Sequence, residues 1–273
     1  MLFFVNISGT NHVERKSSVH ILVFLLLIIS LRSYSQTDSY NQIANEIQLA
    51  RAISEKVSAE LYVGGAFSNT PTEDKILKTN IQRYFNLWGN YYFSPRWKFS
   101  SAIAYYRNKD VPDIGQYESN EWRLTLQGIY FFHKVGYTLS TRMRGELRYM
   151  QNEDGVFEDK YRYRQQVKFL KPLNSNFLRG GVFYFLTSEE IFLKPKAKTS
   201  GINFFDRNRF EIGGGYLVTD DIQLELTYTN EFLPRDETNE MYNCFVLTVT
   251  FNNPLPNLKK IISPKTSEEN KAD

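Results

Sequence analysis

The stretch Trp122-Arg-Leu-Thr-Leu-Gln-Gly-Ile-Tyr-Phe-Phe132 decides the fold. Taken two residues at a time, Trp122, Leu124, Leu126, Gly128, Tyr130 and Phe132 fall on one side. Glu121, Arg123, Thr125 and Gln127 fall on the other. A period of two belongs to the β-strand, whose successive side chains point to opposite faces; the 3.6-residue turn of a helix cannot sort these residues in that way. The same alternation continues next door. Tyr137, Leu139, Met143, Leu147 and Tyr149 oppose Thr138, Ser140, Arg142, Arg144, Glu146 and Arg148. It returns in Tyr161–Phe169, with Arg162, Arg164, Gln166 and Lys168 on the polar face, and in 222–229, where Gln223, Glu225, Thr227 and Thr229 oppose Ile222, Leu224, Leu226 and Tyr228.

Extended along the chain, the pattern gives eleven candidate strands: 42–52, 57–67, 80–93, 97–107, 119–133, 136–150, 160–171, 177–188, 206–218, 222–232 and 241–252. Most are twice as long as the roughly 5–6 residues usual in soluble proteins. They match the roughly 9–11 residues that a tilted strand needs to cross a bilayer. Short connections (53–56, 94–96, 133–135, 172–176, 219–221) alternate with long polar ones (68–79, 108–118, 151–159, 189–205, 232–240). That parity is the habit of outer-membrane barrels, with short periplasmic turns and longer outer loops. Aromatics gather toward both ends of the strands. Trp88, Tyr91, Tyr92, Phe93, Trp97 and Phe99 surround one short turn, and Tyr105, Tyr106, Trp122, Tyr149, Tyr161 and Tyr163 mark the long-loop side, as two interfacial girdles would.

The expected architecture is therefore all-β: a transmembrane antiparallel up-and-down barrel of ten to twelve strands. Eleven is an awkward count, because single-chain bacterial barrels have even numbers. If the last strand descends to the periplasm, counting back gives ten strands and a periplasmic N-terminus. Segment 42–52 is then an extra strand, a piece inside the barrel, or half of an unsplit pair. Before the barrel, Arg15 and Lys16 precede the apolar run Ile21–Ile29, and Ser33-Tyr34-Ser35 supplies small residues before Gln36. This is the layout of a cleaved secretory signal peptide over 1–35. Residues 36–252 form the barrel and 253–273 a polar tail on the periplasmic side.

Composition narrows the function. The 273 residues are 42% hydrophobic and 15% aromatic, too apolar for a disordered chain. The mean hydropathy of −0.42 is too low for a helical membrane protein. The formal net charge of +3 falls to +1 once Glu14, Arg15, Lys16 and Arg32 leave with the signal peptide, so no basic excess points to nucleic acid. Of three histidines only His133 remains, at a short turn among aromatics, and the single Cys244 makes neither a disulfide nor a metal site. No phosphate loop, zinc spacing or nucleophile elbow is present, and the reading is of a non-enzyme with no cofactor, metal or catalytic residue.

With the apolar face toward lipid, the polar face lines the interior. The candidate lining residues are Arg123, Arg142, Arg144, Glu146, Arg148, Arg162, Arg164, Lys168, Arg207, Arg209, Glu211 and Glu225. Beside an envelope enzyme that would work through His133 or Glu146, two readings follow. An Arg ladder selects a small anionic solute, as rings of basic residues do in pores. Alternatively, Arg and Glu pair across strands and plug a narrow barrel that has a structural or surface-interaction role. Partners in either case are outer-membrane lipid and lipopolysaccharide, whose phosphates the loop lysines Lys194, Lys196 and Lys198 would meet.

Four segments recur in a familiar order: Arg142-Met-Arg-Gly-Glu-Leu-Arg148, Tyr161-Arg-Tyr-Arg164, Phe205-Asp-Arg-Asn-Arg209 and Gly213-Gly-Gly-Tyr216. Over about 36–252 the chain resembles a family of bacterial outer-membrane β-barrels catalogued as domain of unknown function 2490. The resemblance implies a Gram-negative outer-membrane barrel. It carries no substrate and no catalytic residue.

Overall fold

The computed structural model describes residues 37–114, 116–195, 203–235 and 238–254. The segment 1–35 expected to be a signal peptide, nearly all of the expected C-terminal tail, Lys196 and Lys198 lie outside the described residues. Eleven strands run in chain order: β1 (Thr37–Ala52), β2 (Val57–Ser68), β3 (Thr79–Ser94), β4 (Trp97–Asn108), β5 (Ser119–Lys134), β6 (Tyr137–Gln151), β7 (Phe157–Pro172), β8 (Phe183–Leu193), β9 (Phe205–Leu217), β10 (Ile222–Leu233) and β11 (Asn239–Asn252). Each pairs antiparallel with the next, and β1 returns to β11 to close the barrel.

That closing seam corrects the expectation of a purely antiparallel barrel. In an up-and-down array the direction alternates, so the first and last strands of an odd series point the same way. β1 and β11 accordingly pair in parallel, in unbroken register from Thr37 opposite Asn239 to Ala50 opposite Asn252. Segment 42–52 is thus a full strand of the wall. Its start, Thr37, lies at the end of the barrel that carries the long connections, opposite to the placement inferred from a ten-strand count.

Most strand ends fall within two residues of the expected ones, but β8 sits five to six residues later than expected. The alternation there is disguised. Inside the barrel β8 presents the apolar Tyr184 and Leu186, both essentially inaccessible, and outside it presents the polar Thr187 and Glu189. Asn208 on neighbouring β9 donates to Glu189 (3.0 Å), as Gln165 on β7 donates to Thr141 on β6 (2.7 Å). The outer face therefore keeps its few polar groups paired. The shift of β8 makes the short-side connection 173–182 as long as the loops opposite it. Asn174 braces that connection, its side chain accepting from the Phe183 amide and donating to the Gly181 carbonyl (both 2.9 Å).

The outer face is apolar. Leu126 and Met143 are each 70% exposed, and Leu124 beside Leu126 on β5 and Ile47, Val63, Leu87, Leu226 and Leu247 on other strands are exposed as well. A continuous apolar surface of this kind suits lipid rather than water. The interior has a small apolar layer, Tyr184, Leu186 and Leu217 with Leu170 against them, toward the short-turn end. Gly215 makes that layer possible. A Cβ there would strike the Tyr184 ring, which lies flat against the glycine and sends its hydroxyl past it to Glu225 on β10 (2.6 Å). This explains one glycine of the Gly213–Gly215 run in terms of close approach.

Candidate functional site

Above the apolar layer the interior is charged. Side chains from β5, β6, β7, β8, β9 and β10 meet in one connected network. It runs from Arg148 and Arg123 on Glu121 (2.7 and 2.8 Å) to Arg162 and Arg164 on Glu146 (2.6 and 2.9 Å). From there Arg164 and Arg142 hold Glu190 (2.8 and 2.6 Å), and Arg207 and Arg209 hold Glu231, the former at 3.0 Å. Arg207 also reaches Asp206 (3.2 Å), which meets Lys194 (3.5 Å). Glu190, Glu121 and Glu146 are only 1%, 2% and 4% exposed, so the carboxylates that hold the network together are shut off from water. Among the described residues its ion pairs join side chains of the same or neighbouring strands, and one of them skips a strand. Arg142 on β6 reaches Glu190 on β8 over β7, a chord that an open channel would not contain.

The geometry follows from the pleat. Residues two apart on a strand share a face and lie some 7 Å apart, so Arg162 and Arg164 present two guanidinium forks to carboxylates on both neighbouring strands. Arg164 uses both of its ends, Nη1 toward Glu146 and Nη2 with Nε toward Glu190. Such two-pronged grip is what the planar guanidinium provides. Four guanidinium carbons, of Arg164, Arg209, Arg162 and Arg207, also lie 4.3, 5.2, 5.3 and 5.7 Å from the ring centre of buried Phe192. The aromatic face adds cation–π attraction to a site where like charges crowd.

Of the twelve residues read from sequence as lining the interior, nine join this network: Arg123, Arg142, Arg144, Glu146, Arg148, Arg162, Arg164, Arg207 and Arg209. Lys168 and Glu211 form a separate pair (3.7 Å), and Glu225 accepts from Tyr184. Sequence reasoning missed Glu190 and Phe192, because the β8 boundary placed them in a loop. It also missed Glu231, which alternates in phase with Glu225 and was within reach of the same pattern, and Asp206, which is out of phase with Arg207 and Arg209 and sits where the β8–β9 register shifts. Trp88 was assigned to the outer aromatic belt. The structure puts it inside, 8% exposed, because the alternation of β3 runs Leu87 out, Trp88 in, Gly89 out. His133 stays at its turn, stacked on Phe131 (5.3 Å), with ring nitrogens near the Thr138 hydroxyl (3.3 Å) and the Pro95 carbonyl (3.2 Å).

The network is not neutral. It holds nine cations, eight arginines and Lys194, against five carboxylates. Arg144 is the least compensated arginine. Its hydrogen bonds go to the neutral Gln127 (2.9 and 2.7 Å), with no carboxylate closer than Glu146 at 3.8 Å, and its guanidinium lies 5.0 Å from the Trp88 ring centre.

A sequence model described as "Protein of unknown function (DUF2490)" matches residues 77–242, more than half of the chain. The chain belongs to the DUF2490 family. The match spans β3 to the start of β11 and so takes in every strand of the charged network. No curated protein matches this DUF2490 chain in sequence. Among solved structures, a bacterial polysaccharide outer membrane secretin is similar at 12% identity and TM-score 0.45, with 71% of this chain and 63% of that one covered. LpxR from Salmonella typhimurium is similar at 7% identity and TM-score 0.44, with 71% and 83% covered. The DUF2490 chain thus spans under two thirds of the secretin's length.

Proposed function

We propose that the protein is an outer-membrane barrel closed to free diffusion, a membrane-embedded scaffold that holds its long connections at the cell surface. The observation that carries this reading is the set of inaccessible carboxylates Glu121, Glu146 and Glu190, each clamped by at least two arginines. A water-filled pore would leave such side chains solvated. Removing them from water is costly, and their retention requires the dense mutual pairing found here. The role is non-enzymatic: the carboxylates are committed to arginine partners, and His133 stands at a short turn away from them. Lipid contacts the apolar outer face, and lipopolysaccharide phosphates lie within reach of the basic loop that begins at Lys194.

A second reading, the holding of a small anion inside the barrel, is favoured by the cation excess of the network. Location is tested by cell fractionation together with a gel comparing heated and unheated samples. The expected result is recovery in the outer-membrane fraction with a band that shifts on heating. Recovery in the soluble periplasm contradicts the proposal.

A further inference from the structure

Three buried polar atoms lack a hydrogen-bond partner among the described residues: the Trp88 indole Nε1, the Ser100 hydroxyl and the Arg142 Nε. All three can donate, and all three belong to inward-facing side chains around the undercompensated Arg144. Ser100 on β4 is paired in register with Gln127 on β5, which is paired with Arg144 on β6. Trp88 on β3 lies under the Arg144 guanidinium. Arg142 shares a face with Arg144, two residues along β6. An indole N–H, a hydroxyl and two guanidinium groups therefore converge on one region of the interior. Unpaired buried donors are expensive, and a surplus of cations in a medium of low polarity calls for a counter-charge. The carboxylates on the opposite wall are otherwise engaged. Glu46 accepts from Tyr84 and Gln48 (2.7 and 2.6 Å), and Glu60 from Asn90 (2.7 Å) and Tyr62, with Lys98 at 3.9 Å.

We propose that Arg144, Arg142, Trp88 and Ser100 form a binding site for a small oxyanion of the phosphate or sulfate class inside the barrel. An oxyanion has the several acceptor oxygens that a donor-only cluster requires, and guanidinium forks fit it two at a time. In the closed interior the ion enters as Arg144 swings off the Trp88 ring and exchanges Gln127 for the anion. The proposal builds on the reading of the interior as closed and cation-rich, and it goes beyond that reading by naming an occupant.

The test uses Trp88 as its own reporter. The other two tryptophans, Trp97 and Trp122, face outward, and Trp97→Phe with Trp122→Phe leaves Trp88 alone. The full chain, folded in detergent and checked by its heat-dependent band shift, is titrated with sodium phosphate against sodium chloride at matched ionic strength. The expected result is a saturable change in Trp88 emission with phosphate alone. Arg144→Gln should weaken it by about tenfold or more, as expected for loss of a charge-assisted hydrogen bond. Ser100→Ala should weaken it less, and the outward-facing Lys171→Gln should leave it unchanged. If Arg144→Gln does not fold, Ser100→Ala still tests the site. An absent or non-saturable response in folded protein, or equal responses to phosphate and chloride, overturns the oxyanion site while leaving the closed barrel standing. Stepwise ion conductance overturns the closed barrel without bearing on the titration.

Discussion

The two sides of the barrel interior are equally buried and differently built. On the wall from β5 to β9, the buried positions carry Arg162, Arg164, Glu121, Glu146 and Glu190, whose ion pairs link neighbouring strands and, between Arg142 and Glu190, pass over β7. On the wall from β10 through β11 and β1 to β4, they carry mainly Thr227, Thr229, Thr248, Thr250, Asn86 and Asn90, each under 10% exposed. Thr229 donates to the Cys244 carbonyl on the adjoining strand (3.4 Å) and Thr250 to Gln48 (3.1 Å). Short polar side chains are satisfied by their neighbours and tie together only the sheet they belong to. Long charged ones share partners, so that one carboxylate gathers arginines from two or more positions and the pairs join into a network. In the function proposed above, the charged wall closes the barrel and the neutral wall only lines it.

Breaking a carboxylate of the charged wall should have the largest effect. Glu146→Ala strands Arg162 and Arg164 without their shared anion, and loss of a buried partner of this kind costs on the order of 3–5 kcal/mol. The expected outcome is a sharp fall in the midpoint of denaturant unfolding in detergent; an unchanged midpoint would remove the claim that the network is a structural plug. A smaller effect is expected from Gly215→Ala, whose new methyl group meets the Tyr184 ring. Overpacking of this sort costs roughly 1–3 kcal/mol. Adding Tyr184→Leu should restore most of the loss, and failure of that rescue would show that the ring is not the obstacle. Smallest should be Thr250→Val on the neutral wall, where one hydrogen bond between neutral groups is worth about 1 kcal/mol. If Thr250→Val and Glu146→Ala prove equally costly in the same assay, the contrast between the walls fails.

How much of this was legible in the sequence depends on which wall is considered. Along β5, β6 and β7 the two faces differ sharply in polarity, so Arg123, Arg144 and Arg164 could be assigned inward from alternation alone. β8 defeats that reading, because its inner face is apolar at Tyr184 and Leu186 and its outer face polar at Thr187 and Glu189. With the polarity contrast reversed, nothing local marks where the strand begins, and Glu190 and Phe192 at the centre of the network went unread. The seam between β1 and β11 was equally hidden. Pairing between chain positions some two hundred residues apart leaves no periodic signal, and only the odd strand number hinted at it. Trp88 was misplaced for a third reason: an aromatic near a turn belongs as readily to a girdle as to an interior, and only the phase set by Leu87 and Gly89 tells them apart.

The central claim is that Arg and Glu side chains from β5 to β10 close the interior. Planar-bilayer recording from the folded, heat-modifiable wild-type protein tests it most directly. The account predicts a silent baseline with no stepwise conductance at moderate voltage. Reproducible unitary conductance steps from that same preparation would contradict it.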